Sequence, residues 1–206
     1  MNHLENIERL NNEYFALRHG QSVANVAKIV VSDLENGKKE EYTLTEEGER
    51  QVKMSVSEAK LKGVLGKDTI IYASPFSRTR KTAQIAKEIL EVEGDIMFDE
   101  RLRERFFGDW EKTDDTAYPK VWDIDIERPD HGEQNVESTR DVLKRMTSVI
   151  KDLEEKYKDK KILLVSHGDP IKILQTGFHK ISSGLHRGFN IHTAEVRKME
   201  LKQKQD

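Results

Sequence analysis

Three short apolar runs do most to limit how this chain can fold. Tyr14-Phe15-Ala16-Leu17, Thr69-Ile70-Ile71-Tyr72-Ala73 and Lys161-Ile162-Leu163-Leu164-Val165 are too short for helices, and their β-branched and aromatic content suits strands. They lack polar alternation, as strands covered on both faces do. Between them lie longer segments with helical periodicity. Thr45 to about Lys62 opens with a Thr suited to N-capping and acids in its first turn. Phe76 to Val92 places Thr79, Thr82, Ala83, Ile85, Ala86, Ile89 and Leu90 on one face. Val136 to Tyr157 does the same with Val142, Leu143, Met146, Val149, Ile150, Leu153 and Tyr157. A further helix is expected from Asp169 to Phe178, with Pro170 tolerated in its first turn, and a late strand from Ala194 to Leu201. Strands alternating with helices imply an α/β fold with a mostly parallel sheet covered on both sides.

At 206 residues one domain is expected, spanning 1–206. The stretch from Glu111 to Glu133 differs from the rest. It holds two of the four prolines and eight acids against three bases, and reads as a long lid or loop at about 111–133. The chain has no cysteine, which excludes disulfides, Cys-ligated metal and a Cys nucleophile. Its 35 basic and 38 acidic residues are interspersed, unlike the basic excess of a nucleic-acid binder. No apolar run is long enough for a membrane span, and Met1-Asn2-His3-Leu4-Glu5-Asn6 is unlike a signal peptide. A soluble, cytoplasmic protein without nucleic-acid or membrane partners is expected, and no motif indicates an oligomeric state.

Each apolar run leads into residues with chemistry. Arg18-His19-Gly20 follows the first, Ser74-Pro75-Phe76-Ser77-Arg78 the second and Ser166-His167-Gly168 the third. Ligands of open α/β sheets bind beyond the carboxyl ends of the strands, so these segments can converge on one crevice. A lone histidine or arginine at a strand end is more often structural than catalytic. Two guanidiniums and two imidazoles at corresponding strand ends are a stronger signal, and they suit an anion, phosphate in particular. Competing motifs are weaker. Asp123-Ile124-Asp125-Ile126-Glu127 lacks the buried strand that an aspartyl-phosphate motif follows. Gly63-Val64-Leu65-Gly66-Lys67-Asp68 lacks the spacing and Ser/Thr of a P-loop. His179, His186 and His192 lack metal-ligand spacing, and His186-Arg187 reads as a solvated loop, with a place flanking the pocket as the alternative.

Leu17-Arg18-His19-Gly20-Gln21-Ser22-Val23-Ala24-Asn25 resembles the R-H-G-x-S/T-x-x-N motif of the histidine phosphatase superfamily, in the branch that includes the cofactor-dependent phosphoglycerate mutases. The resemblance continues through Leu44–Gly48, Ser74–Ala83, Leu102–Glu111, Gly132-Glu133 and Ser166–Gly168, in the family's order. It implies a three-layer αβα sandwich of the phosphoglycerate mutase type and covalent phosphoryl transfer from a small-molecule phosphomonoester to the protein. His19 would attack phosphorus and form a phosphohistidine that water hydrolyses. Arg18, Arg78 and His167 would hold the equatorial oxygens, assisted by Gln21, Ser22, Asn25 and Gly168. The resemblance assigns the proton donor to Glu104 and leaves Arg105 as a further cationic contact. No metal and no cofactor are expected, because fixed cations take the metal's place. Gly20 and Gly168 would let backbone approach the phosphate.

Mutases of this family carry adjacent arginines after the E-R-x-x-G block, where this chain has its acidic stretch and an isolated Arg128. They carry Asn after S-H-G, where this chain has Asp169. Trp110, Tyr118, Val121 and Trp122 suit an apolar or uncharged leaving group. Hydrolysis of a phosphomonoester is therefore the expected reaction. A phosphoglycerate mutase and a catalytically silent phospholigand-binding protein are the alternatives.

Overall fold

The computed structural model describes residues 1–203. Five strands form one sheet in the order β3-β2-β4-β1-β5: β1 is Glu13–Arg18, β2 Ile70–Ala73, β3 Met97–Phe98, β4 Lys161–Ser166 and β5 Val196–Met199. β4 lies at the centre, parallel to both β1 and β2, and only β5 runs antiparallel to its neighbour. In register, Leu17 faces Val165, and Ala73 faces Val165 from the other side. The three apolar runs of the sequence thus end level with one another.

Alternate residues of each strand supply two separate cores, which is why the runs are apolar throughout. Tyr14, Ala16, Ile162 and Leu164 pack on one face with helices α6 (Thr139–Lys156) and α7 (Gly168–Phe178). Phe15, Leu17, Ile71, Ala73, Leu163 and Val165 pack on the other with α3 (Glu46–Leu61) and α4 (Ser77–Leu90). The result is an αβα three-layer sandwich. Thr45 caps α3 as expected, its side chain accepting from the Gly48 N–H at 3.0 Å. Two short helices, α1 (Val23–Ala27) and α2 (Leu34–Gly37), follow β1, and the sequence pattern shows neither of them.

The 111–133 stretch is not a long irregular loop. Ala117–Glu127 forms helix α5, with Pro119 in its first turn, where a missing N–H removes no helical bond. Ala117 and Val121 join Val30, Phe107 and Val136 in a third small core. The acids hide this helix from sequence reading, yet most of them are engaged within the fold. Glu111 accepts from the Ser32 and Asp33 N–H groups, the Ser32 hydroxyl and Asn36 Nδ2. Asp114 caps Thr116, while Asp123, Asp130 and Glu133 pair with Arg187, Arg140 and Arg128. Asp125 is buried against Arg105, and Glu127 faces solvent. Only Asp115 of the eight lines the cavity described below. No helix among the described residues is long and apolar enough to cross a membrane.

Candidate active site

The ends of β1 and β4 extend past the sheet together, His19 N–H donating to Ser166 O at 3.1 Å, and Ser74 N–H meets Val165 O at 2.9 Å. This places His19, Ser74 and His167 side by side at the carboxyl edge of the sheet. Arg78 enters from the first turn of α4, which begins just beyond β2. A cavity of about 310 Å³ opens beside them, with Arg18, His19, Arg78, Glu104 and Gly168 in its lining; Ser74 and His167 are not part of that lining, and the His167 ring packs against the His19 ring at 5.2 Å. That volume is at the small end of ligand pockets.

His19 is buried, and its tautomer is set by its neighbours. Nδ1 lies 2.7 Å from the Gly20 carbonyl, which can only accept, so Nδ1 carries the proton. Nε2 accepts from Arg78 Nε at 3.3 Å, so Nε2 is the ring nitrogen that carries the lone pair. Burial, then Arg78 and Arg18, hold the His19 pKa well below the ordinary imidazole value, which keeps the ring neutral. Arg78 also donates to Val31 O at 2.9 Å, and Arg18 donates to Ile191 O at 2.8 Å. One nitrogen of each remains buried without a partner: Arg78 Nη1 and Arg18 Nε. His167 meets Ser74 Oγ through Nε2 at 2.9 Å, while its Nδ1 has no hydrogen-bond partner. Unsatisfied guanidinium nitrogens from two arginines that line one cavity are a site built for an anion.

Glu104 comes from the segment between β3 and α5. Its Oε1 accepts the Arg105 N–H at 2.9 Å, and its Oε2 lies 3.8 Å from His167 Nδ1. Burial raises its pKa to about 7, with Asp169 adding to the rise and Arg78 opposing it. A carboxyl poised near neutrality can both deliver and accept a proton. Asp169 itself is held ionised, its pKa lowered against its burial chiefly by Lys172 at 2.7 Å. Trp122 of α5 donates from Nε1 to the other Asp169 oxygen at 2.8 Å.

Several expected contacts are placed differently. Arg105 does not line the cavity; it is wholly buried behind it, its guanidinium paired bidentately with Asp125. Gln21 turns away to accept from Thr45 Oγ1 at 2.9 Å, fastening the loop to α3. Ser22 does line the cavity, but its hydroxyl donates to Asn25 Oδ1 and accepts the Asn25 N–H, capping α1. Asn25 lines the cavity as well. Gly168 also lines it, whereas Gly20 answers a different need: a Cβ there would lie 2.3 Å from Gly48 O. His186 is buried beside Asp125 and not on a solvated loop, while Arg187 is exposed.

The outer wall was only partly visible in the sequence. Tyr118 and Trp122 line it as expected, but they stack on each other at 5.5 Å, with Phe107 against Tyr118 and Lys172 over Trp122. They offer edges and not a free aromatic face. Trp110 and Val121 are not part of the wall. Ile29, Val31, Asp115, Lys172, Asn190 and Ile191 also line the cavity, and no sequence motif marks them. Among the described residues no cluster of three or more His, Asp or Glu side chains could hold a metal ion.

Fold and site together define an α/β protein with a neutral, buried imidazole in a pocket of guanidiniums, the arrangement of a histidine-dependent phosphoryl-transfer site. The chain belongs to the histidine phosphatase superfamily (branch 1), whose family model matches residues 14–206. It is 30% identical over 115 residues to the uncharacterised phosphatase PhoE of Bacillus subtilis strain 168, a match of 56% of this chain and 54% of that protein. The match thus spans about half the length of that curated relative. Bacillus stearothermophilus YhfR superposes with a TM-score of 0.70 at 23% identity, covering 90% of this chain and 89% of its own. A mycobacterial glucosyl-3-phosphoglycerate phosphatase solved with VO3 also scores 0.70 at 23% identity, over 89% of this chain and 90% of its own. At such identities these two structures speak for the fold.

Proposed function

We propose that the protein is a phosphomonoesterase that hydrolyses a small phosphorylated metabolite through a phosphohistidine on His19. The Nε2 lone pair attacks phosphorus while the P–O bond to the leaving group breaks. Glu104 passes its proton to the departing alkoxide, then takes one from the water that cleaves the P–N bond and releases inorganic phosphate. Arg18, Arg78 and His167 hold the charge on the equatorial oxygens. The 111–133 segment, with α5, acts as the lid over the leaving group. The single observation that carries this reading is the His19 tautomer, Nδ1–H on Gly20 O with the Nε2 lone pair beside Arg78. A silent binder needs neither that lone pair nor a buried acid poised near neutrality.

The experiment is phosphate release from 4-nitrophenyl phosphate with EDTA present, for the wild type and His19→Ala. Release by the wild type alone, with an acid-labile, base-stable phosphoenzyme labelled on His19, is the expected result. A label on another residue refutes the mechanism. Phosphate binding without turnover of any monoester means a binding protein. Isomerisation of 3-phosphoglycerate only after priming with 2,3-bisphosphoglycerate means a mutase.

A further inference from the structure

Arg105 and Asp125 are among the most deeply buried charged residues of the chain, both fully inaccessible to solvent. Arg105 Nη1 and Nη2 donate to Asp125 Oδ2 and Oδ1 at 2.7 and 2.8 Å. His131 Nε2 lies 2.9 Å from Asp125 Oδ1, and His186 Nε2 lies 3.8 Å from Oδ2. The turn containing Gly184 packs directly on the helix here, since a Cβ at that glycine would lie 2.2 Å from Asp125 O. On its other side Arg105 Nε donates to Glu137 O at 2.8 Å. Its backbone N–H is the group that holds Glu104 Oε1, and the Glu104 carbonyl in turn accepts from Arg145 at 3.2 Å.

A buried ion pair of this kind is weak evidence for stability, because an apolar pair of similar volume holds two elements together as well. A bidentate fork does something an apolar pair cannot: it sets both distance and rotation. Here it joins α5, whose Tyr118 and Trp122 wall the cavity, to the one peptide unit whose N–H holds the Glu104 carboxyl. His19, Arg18 and Arg78 are carried by other elements and do not depend on it.

We propose that Asp125 is a positioning residue for the general acid, its fork with Arg105 fixing the Glu104 carboxyl toward the leaving-group oxygen. This rests on the phosphomonoesterase reading above and concerns the proton-donating step alone. With Oε1 held by the peptide N–H, Oε2 is the oxygen that carries the proton. Loosening the fork misplaces that proton and leaves the nucleophile and the oxyanion contacts in place. The loss therefore grows with the leaving group's need for protonation.

The test is kcat/KM for a series of aryl phosphates, from 4-nitrophenyl to phenyl to 4-methoxyphenyl, in the wild type and Asp125→Asn. The variant is expected to lose about tenfold more on the phenyl than on the 4-nitrophenyl ester, a fraction of what a general acid supplies. The dependence on leaving-group basicity steepens accordingly. Equal losses across the series, or none, overturn the proposal, because a merely structural role has no reason to follow leaving-group basicity. A wild type inert toward every ester would instead refute the phosphomonoesterase reading and the proposal with it. Vanadate binding and a thermal melt check that Asp125→Asn is folded. If it is not, His131→Phe, which removes the hydrogen bond that orients Asp125 Oδ1 and so loosens the fork without removing its charges, is expected to steepen the series to a smaller degree. An unchanged slope in that variant counts against the proposal.

Discussion

Arg78 Nε sits 3.3 Å from His19 Nε2 and donates to it, occupying the lone pair that the proposed reaction directs at phosphorus. A phosphoryl group entering the pocket must draw that N–H, and the unpartnered Arg78 Nη1, onto its own oxygens. The ligand-free pocket therefore holds a buried cation short of partners, a cost that ligand removes. Vanadate or phosphate is expected to raise the melting temperature, with about 2.7 kcal/mol gained at a hundred times the dissociation constant. Arg78→Met is expected to abolish that shift and to leave the ligand-free protein at least as stable as the wild type. Differential scanning fluorimetry measures both; a full vanadate shift in the variant would show that Arg78 is not an anion ligand.

The acid limb of the chemistry has a predicted pH. Glu104, with its pKa raised to about 7, must be protonated to serve the leaving group, so kcat/KM falls as pH rises through about 7. Asp169 contributes to that rise by charge repulsion. Asp169→Asn removes the repulsion and frees the Lys172 cation, and both changes favour the Glu104 carboxylate. The falling limb is expected to move to lower pH in pH–rate profiles of the variant, with activity retained below it. A limb that stays in place or moves upward contradicts the assignment.

The same shift makes a stability prediction. Glu104 titrates near 7 in the folded protein against an ordinary value of 4.5, so the fold binds this proton more tightly than the unfolded chain does. Its contribution is full below about pH 4.5 and is lost as pH rises to about 7. Above that range the buried carboxylate is a deficit of about 3 kcal/mol at most. Glu104→Gln cannot ionise, and its stability relative to the wild type is expected to grow between pH 5 and pH 8. Urea melts at the two pH values measure the difference, and a gap that shrinks over that interval rules out the raised pKa.

How much of this was legible in the sequence depended on whether a residue's surroundings follow from periodicity. The central strands and long helices are legible because two buried faces leave a continuous apolar run and one buried face leaves a helical stripe. β3 is not, since two residues become a strand only by pairing with Tyr72 and Ala73. The strand-end residues Arg18, His19 and His167 are legible because parallel strands in register deliver them together, and Arg78 follows because α4 begins just beyond β2. Beyond the strands, adjacency misleads: Glu104 lines the cavity while Arg105 points behind it into Asp125. Gln21 is spent on Thr45, a contact that chain folding alone creates, and Ser22 on the local capping of α1 with Asn25. Asn190 and Ile191 reach the cavity on a segment with no motif at all.

The acids of the 111–133 segment present less charge to the cavity than their number suggests. With Glu111 and Asp125 engaged inside the fold and Asp169 offset by Lys172, Asp115 is the cavity carboxylate left without an ion pair among the described residues. Asp115→Lys is expected to lower KM for phosphomonoesters that carry a carboxylate, about tenfold at low ionic strength, with kcat little changed. Asp115→Asn is expected to give a smaller change in the same direction, and added salt to erase both. Equal KM for neutral and carboxylated substrates in all three proteins would place Asp115 outside the leaving-group contacts.

The loop that carries His19 is supported from a distance by two glycines pressed together. A Cβ at Gly20 would lie 2.3 Å from Gly48 O, and one at Gly48 would lie 2.0 Å from Gln21 O. Thr45 N–H donates to Gln21 O at 3.0 Å, so the first turn of α3 is fastened to the residues that follow His19. Neither helix nor loop can yield at Gly48 without moving the other, and Gly48 itself touches no part of the cavity. Gly48→Ala is therefore expected to destabilise the protein by roughly 1–3 kcal/mol through overpacking. It is also expected to lower kcat/KM by about 10²-fold, because a misplacement near 1 Å at the attacking nitrogen has that effect. Gly94→Ala is the control, since a Cβ there meets nothing within 4 Å. Melts and kinetics on the two variants decide the matter: a Gly48→Ala enzyme as active as Gly94→Ala would mean that α3 does not hold His19 in place.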